Sequence, residues 1–125
     1  MGSVVMYRRD SGRCPAQEFI NGCTKDFKKK FKGAFDAITQ QGSKYVNHQR
    51  FKPLSGPGKP LWEFKEHDHR LYCCRECTGD YMRIVLLSGC VKQKEGKSKE
   101  EDSQIETAKR LYDEYLNLKE RKNPK

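Results

Sequence analysis

The sequence predicts an α+β domain: a small antiparallel or mixed sheet of about four strands, two N-terminal helices and one C-terminal helix. Three observations carry this. Apolar residues step by three and four over residues 16–38 and again over 105–116, as on one face of a helix. Between those regions lie short alternating or β-rich runs parted by two-to-three-residue turn signals. The chain has 125 residues, which suits one hydrophobic core and hence a single domain over 1–125.

Val4–Arg9 ("VVMYRR") is β-prone and is followed by "DSG", so it reads as the first strand. Pro15 suits the first position of a helix. Phe19, Ile20, Cys23, Phe27, Phe31, Ala34, Phe35 and Ile38 form its apolar stripe, and Lys25, Lys28, Lys29, Lys32 and Asp36 its polar face. Gly22 and Thr24 divide the run into two helices, and Gly42 stops the second. Phe51–Pro60 carries three prolines and two glycines and reads as a loop. Leu61–Glu66 alternates as a half-buried strand with Trp62 and Phe64 on one face. "HDH" turns into the strand "RLYCCREC", "TGD" turns again, and "MRIVLLSG" has the continuous apolar character of an interior strand. "CVKQKEGKSKEED" is polar and reads as a loop. Ser103 and Glu106 make an S-x-x-E capping box that starts the last helix, with a frayed tail after Lys119.

Lys and Arg number 26 against 17 Asp and Glu, a net charge of +9, and the mean hydropathy is −1.01. That excess favours a polyanionic partner such as nucleic acid or the ribosome. No apolar run approaches the roughly 18 residues of a membrane span, and no apolar leader opens the sequence. Met6 stands where N-myristoylation needs Ser or Thr. The expectation is a cytoplasmic address, reduced thiols and no membrane partner.

Cys73, Cys74 and Cys77 lie within five residues. Neighbours on a strand point to opposite faces, so Cys73 and Cys74 do not share a metal ion. A zinc site would need Cys74 and Cys77 with His67 and His69, a donor set of the right types but with no second Cys-x-x-Cys. The alternative is that Cys73, Cys74 and Cys90 are small buried packing residues and that Cys77 is partly exposed and oxidisable. Packing is the reading adopted, with no metal and no cofactor expected.

The hairpin places Lys65 near Arg70, and Lys92 and Lys94 follow the interior strand, so four cations from three segments can meet at one sheet edge. Most Lys and Arg are simply solvated. Arg70 is different, because an arginine at the start of a buried strand needs a partner or a task.

"LWEFKEHDHRLYCCRE" followed by "RIVLLSGCVKQKEGKSKEEDSQIETAKRLYDEYL" resembles the RelE/HigB superfamily of type II toxin–antitoxin systems, in its phage-derived HigB-like branch. The family's "LWELR", "YR", "HGFVKK" and "EIETAKR" patterns match Leu61–Lys65, Arg70–Tyr72, Ile84–Lys94 and Ile105–Arg110, in that order. Lys65 stands where the family has Arg, Ser88 where it has His and Cys90 where it has Phe. The resemblance implies a RelE-like fold and an endoribonuclease that cuts mRNA, commonly on the ribosome, and is silenced by a cognate antitoxin of helix-turn-helix type.

In such a reaction the 2′-oxygen attacks phosphorus and the 5′-oxygen leaves, so the site must move protons and stabilise a phosphorane. Arg70 suits the second task, because its planar fork binds two phosphate oxygens. A lysine is a poor base at its free pKa of about 10.4 and needs crowding by other cations. Lys65 is the candidate for that role, and Lys65 and Arg70 form the expected catalytic pair. Lys92, Lys94, His67 and His69 are the expected RNA contacts. The histidines are alternative proton carriers, although a histidine in a turn is ordinarily a solvated one. Two other functions remain open: a non-catalytic RNA- or ribosome-binding protein of the same fold, and a zinc-binding interaction module.

Overall fold

The computed structural model describes residues 1–45, 49–54, 60–91 and 99–122. These described residues form an α+β architecture: a five-stranded mixed sheet with three α-helices. The elements in chain order are β1 (Gly2–Met6), α1 (Pro15–Asn21), α2 (Lys25–Gln41), β2 (Phe51–Pro53), β3 (Trp62–Glu66), β4 (His69–Thr78), β5 (Tyr81–Val91) and α3 (Lys99–Lys122). A 3-10 turn, Gly42–Lys44, follows α2. The strand order is β1-β5-β4-β3-β2, with β1 parallel to β5 and the other pairs antiparallel.

The sheet is packed on both sides. One cluster joins Ala16, Phe31 and Ile38 of α1 and α2 to Phe64, Leu71, Cys73, Ile84 and Leu86. The other joins Ala108, Leu111 and Tyr115 of α3 to Tyr72, Cys74, Val85 and Leu87. Alternation along β4 and β5 therefore feeds two helix layers, which explains the unbroken apolar run of "IVLL". The alternation slips once. Tyr72 opposes Ser88 while Cys73 opposes Leu86, so Leu87 is the extra residue of a bulge.

Local signals account for most boundaries. Pro15 occupies the first turn of α1. Thr24 caps α2, its hydroxyl accepting the Phe27 N–H at 3.4 Å. Gly42 ends α2 with φ +58°, where a side chain would be strained.

Several expectations are corrected. The first strand is Gly2–Met6 rather than Val4–Arg9, because its ladder is set by β5, running from Gly2 opposite Met82 to Met6 opposite Leu86. Phe51–Pro53, expected within a loop, forms edge strand β2, with Phe51 opposite Phe64 and stacked on Trp62. Proline is tolerated at such an edge. "HDH" narrows to the two-residue turn His67–Asp68, since His69 already pairs with Glu66. Cys90 belongs to β5, not to the following loop. The last helix begins at Lys99, so Ser103 is no cap: it lies inside α3, its carbonyl accepting from the Thr107 hydroxyl at 3.1 Å. The acidic sequence at 100–102 favours the earlier start, because the positive end of the helix dipole attracts negative charge. Helix α3 also continues past Lys119 to Lys122. Among the described residues, no helix is long and apolar enough to cross a membrane.

Candidate nucleic-acid interface

The β3–β4 hairpin builds the centre of the site. Glu66 pairs with His69 and Lys65 with Arg70, so the expected catalytic pair are direct cross-strand neighbours. The turn requires φ +59° at His67, a conformation that usually selects glycine. Arg70 secures it. Its Nη1 donates to the His67 carbonyl at 2.7 Å and to the His69 carbonyl at 3.1 Å. Arg70 is only 7% exposed, and a buried guanidinium needs such acceptors. Its Nε and Nη2 donors have no partner among the described residues, which leaves one edge of the fork available to an anion.

Cross-strand neighbours share a face, so pairing identifies the company Arg70 keeps. Arg70 pairs with Cys90, Tyr72 with Glu63 and Ser88, and Glu63 with Lys52. Tyr72 belongs to the α3-side cluster, so Lys52, Glu63, Lys65, Arg70, Ser88 and Cys90 lie on that side of the sheet. The Tyr72 hydroxyl lies 3.5 Å from the Cys90 thiol. Glu63, at 6% exposure, and Ser88, at 5%, are buried polar groups in this patch. Among the described residues the Ser88 hydroxyl has no hydrogen-bond partner.

The two histidines are separated. His69 faces the α1–α2 side, with its ring stacked on Phe27 at 3.7 Å between centroids and tilted against Phe19 at 5.8 Å. Its Nδ1 lies 2.8 Å from Asp68, and that hydrogen bond holds the Asp68 carboxyl below the ordinary carboxylate range. His69 is thus a packed residue rather than a solvated one, on the opposite face from Lys65 and Arg70. His67 is exposed at the turn and shares a cleft with Lys65. Lys92 and Lys94 lie outside the described residues.

That cleft, about 560 Å³, is lined by Lys30, Gln49, Arg50, Lys52, Lys65, Glu66 and His67. Arg50 pairs with the buried Glu66, its Nη1 3.1 and 3.3 Å from the two carboxylate oxygens. Sequence reasoning missed Lys30, Arg50 and Lys52. Lys52 belongs to strand β2, which was taken for loop, Arg50 directly precedes that strand, and Lys30 comes from a distant helix.

The cysteines divide as alternation requires. Cys73 packs toward α1 and α2, and Cys74 toward α3. Burial pushes the Cys74 thiol up to about 12 and that of Cys73 well above its ordinary value, so both are protonated packing groups. Cys90 is half-buried and Cys77 is exposed. His69 and Cys77 stand at opposite ends of β4, eight strand residues apart or roughly 26 Å, so the His–Cys donor set does not converge on one ion. Among the described residues no group of three or more His, Cys, Asp or Glu side chains is arranged to hold a metal.

No family model matches this chain, and no curated protein matches it.

Proposed function

We propose that the chain is a metal-independent endoribonuclease of the RelE/HigB toxin type, which cuts mRNA in association with the ribosome and is restrained by a cognate helix-turn-helix antitoxin. The observation that carries this reading is the Lys65–Arg70 pair: a lysine beside a buried guanidinium whose one nitrogen is fixed to the His67 and His69 carbonyls and whose other donors have no partner among the described residues. A guanidinium already held by the turn loses little further freedom when it binds a phosphate, which is the preorganisation that phosphorane stabilisation needs.

In the reaction the 2′-oxygen forms a bond to phosphorus as the bond to the 5′-oxygen breaks. The 2′-hydroxyl proton passes to a base and the departing 5′-oxygen takes up a proton. Arg70 supports the negative charge on the equatorial oxygens. Lys65 and His67 border the same cleft and are the candidates for proton transfer. Lys92 and Lys94 follow β5 in sequence and are assigned to the RNA backbone.

The test is controlled expression without antitoxin, combined with purified protein on labelled mRNA with and without ribosomes. Growth arrest is expected, with fragments ending in 2′,3′-cyclic or 3′-phosphate and 5′-hydroxyl groups. Arg70→Ala should abolish cleavage. It should also lower stability by about 1.5–3 kcal/mol, the usual worth of hydrogen bonds to a charged group, so folding is checked by the thermal transition. Arg70→Lys should restore little activity, because a point charge does not replace the fork. If wild type and Arg70→Ala are equally inert in all these assays, the chain is a non-catalytic RNA- or ribosome-binding protein of the same fold.

A further inference from the structure

The cleft beside the hairpin holds four fixed cations, Lys30, Arg50, Lys52 and Lys65, with His67 at its rim. Among the described lining residues its one carboxylate, Glu66, is matched by Arg50 at 3.1 Å, so these residues carry a positive excess. The cations come from three places: helix α2, the β2 edge and the hairpin. They are half to fully exposed and are spread along an open groove rather than gathered round one buried point. A compact phosphate site would show converging, buried donors. Spread, solvated cations on a polar wall suit an extended polyanion whose bases are not read.

Two contacts give the groove a fixed form. The Lys30 ammonium rests 5.2 Å from the centre of the Phe27 ring, itself stacked on His69. The Arg50 carbonyl accepts the Lys65 N–H at 2.7 Å, tying the cleft's edge to the strand that bears Lys65. Lys65 belongs both to the cleft and to the pair with Arg70, so the two are continuous.

We propose that this cleft is a sequence-independent subsite for the sugar–phosphate backbone of single-stranded RNA, receiving the stretch of strand next to the bond held at Arg70. Its position beside a reaction centre rests on the ribonuclease reading, but its charge and shape do not. The strand would pass from the α3 side of the sheet round the β3–β4 turn, with Lys52 and Lys65 meeting it first and Lys30 beyond the turn.

The test compares wild type with Lys30→Gln/Lys52→Gln, two surface changes outside the reacting pair, using the full chain. The probes are a labelled oligouridylate long enough to span centre and cleft, and a dinucleotide that fills only the centre. The double variant should keep its thermal transition and its dinucleotide turnover. Its oligouridylate binding should weaken, and the slope of log affinity against log salt should become shallower by about 1.4, which is about 0.7 for each of the two phosphates no longer neutralised. Lys30→Arg/Lys52→Arg should restore both. If cleavage proceeds but slope and KM for the oligouridylate are unchanged in the double Gln variant, the subsite is wrong and the nuclease reading survives. If nothing is cleaved but the slope still falls, the nuclease reading fails and the subsite stands. Equal affinity for a duplex of the same length, or loss of ribosome binding alone, would overturn the single-strand assignment.

Discussion

Burying the guanidinium of Arg70 and the hydroxyl of Ser88 in one patch sets two different problems. Arg70 is satisfied on one side by backbone carbonyls. Ser88, where the resembled family has histidine, has no partner among the described residues, and an unmet buried hydroxyl costs about 1–3 kcal/mol. The thiols allow a prediction with a definite sign. Cys74 is pushed up to about 12 by burial, against about 8.5 for a free thiol. The unfolded chain therefore ionises first. The thiol's contribution to stability is complete below about pH 8.5 and drains away as pH rises toward 12. Tyr7 and Tyr115, also raised to about 12, add to the loss above about pH 10. Urea midpoints should be level from about pH 6 to 8 and fall steadily above. Cys74→Ala should start lower, because of its cavity, but fall less steeply between about pH 8.5 and 10. Parallel slopes for both proteins would mean that this thiol is not buried.

Helix α3 is held by packing in its middle and by charge along its C-terminal half. Ala108, Leu111 and Tyr115 enter the core. Glu114 accepts hydrogen bonds from Arg9 and Tyr7, and Glu76 accepts them from Tyr115 and Lys119. Leu111→Ala should cost roughly 2–5 kcal/mol in urea unfolding. Ser103→Ala, at an exposed interior position of the helix, should cost nothing measurable or slightly stabilise. A loss of about 1 kcal/mol at Ser103 would instead mark a true cap and a helix that starts there. This element shows how local and distant signals differ. The stripe over 105–116 was legible as far as Tyr115 because helix periodicity lies within the segment, but its last member, Leu116, is exposed, and the S-x-x-E pattern misled because it also occurs inside a helix. The split at Gly22–Thr24, the stop at Gly42 and the Lys65–Arg70 pairing were legible for the same local reason. Strand β2 was not, because it spans three residues among prolines and exists through Phe51 meeting Phe64. The turning of His69 onto Phe27 was not legible either. It depends on the turn being two residues rather than three, and a slip of one residue reverses every side chain. The cationic cleft was hidden because Lys30 and Lys52 meet only through the fold.

For the molecule as a whole, β1 completes one side of the sheet. It shields β5 at Ile84, Val85 and Leu86, which would otherwise form a long apolar edge. Removing residues 1–6 should therefore yield a chain that elutes as aggregate in size exclusion, while Ser3→Ala, an exchange at a half-buried position, should remain monodisperse. A monodisperse, cooperatively unfolding truncation would show that the rest of the sheet is self-sufficient. The parallel pairing also has a consequence in time. Met6 and its partner Leu86 are eighty residues apart. At a synthesis rate of about 5–20 residues per second, the first strand waits roughly 4–16 s for its partner to be made, and the Lys65–Arg70 hairpin is translated during that wait. A nascent chain on its own ribosome thus carries its basic hairpin beside an unfinished sheet, and that sheet closes only after β5 has been made.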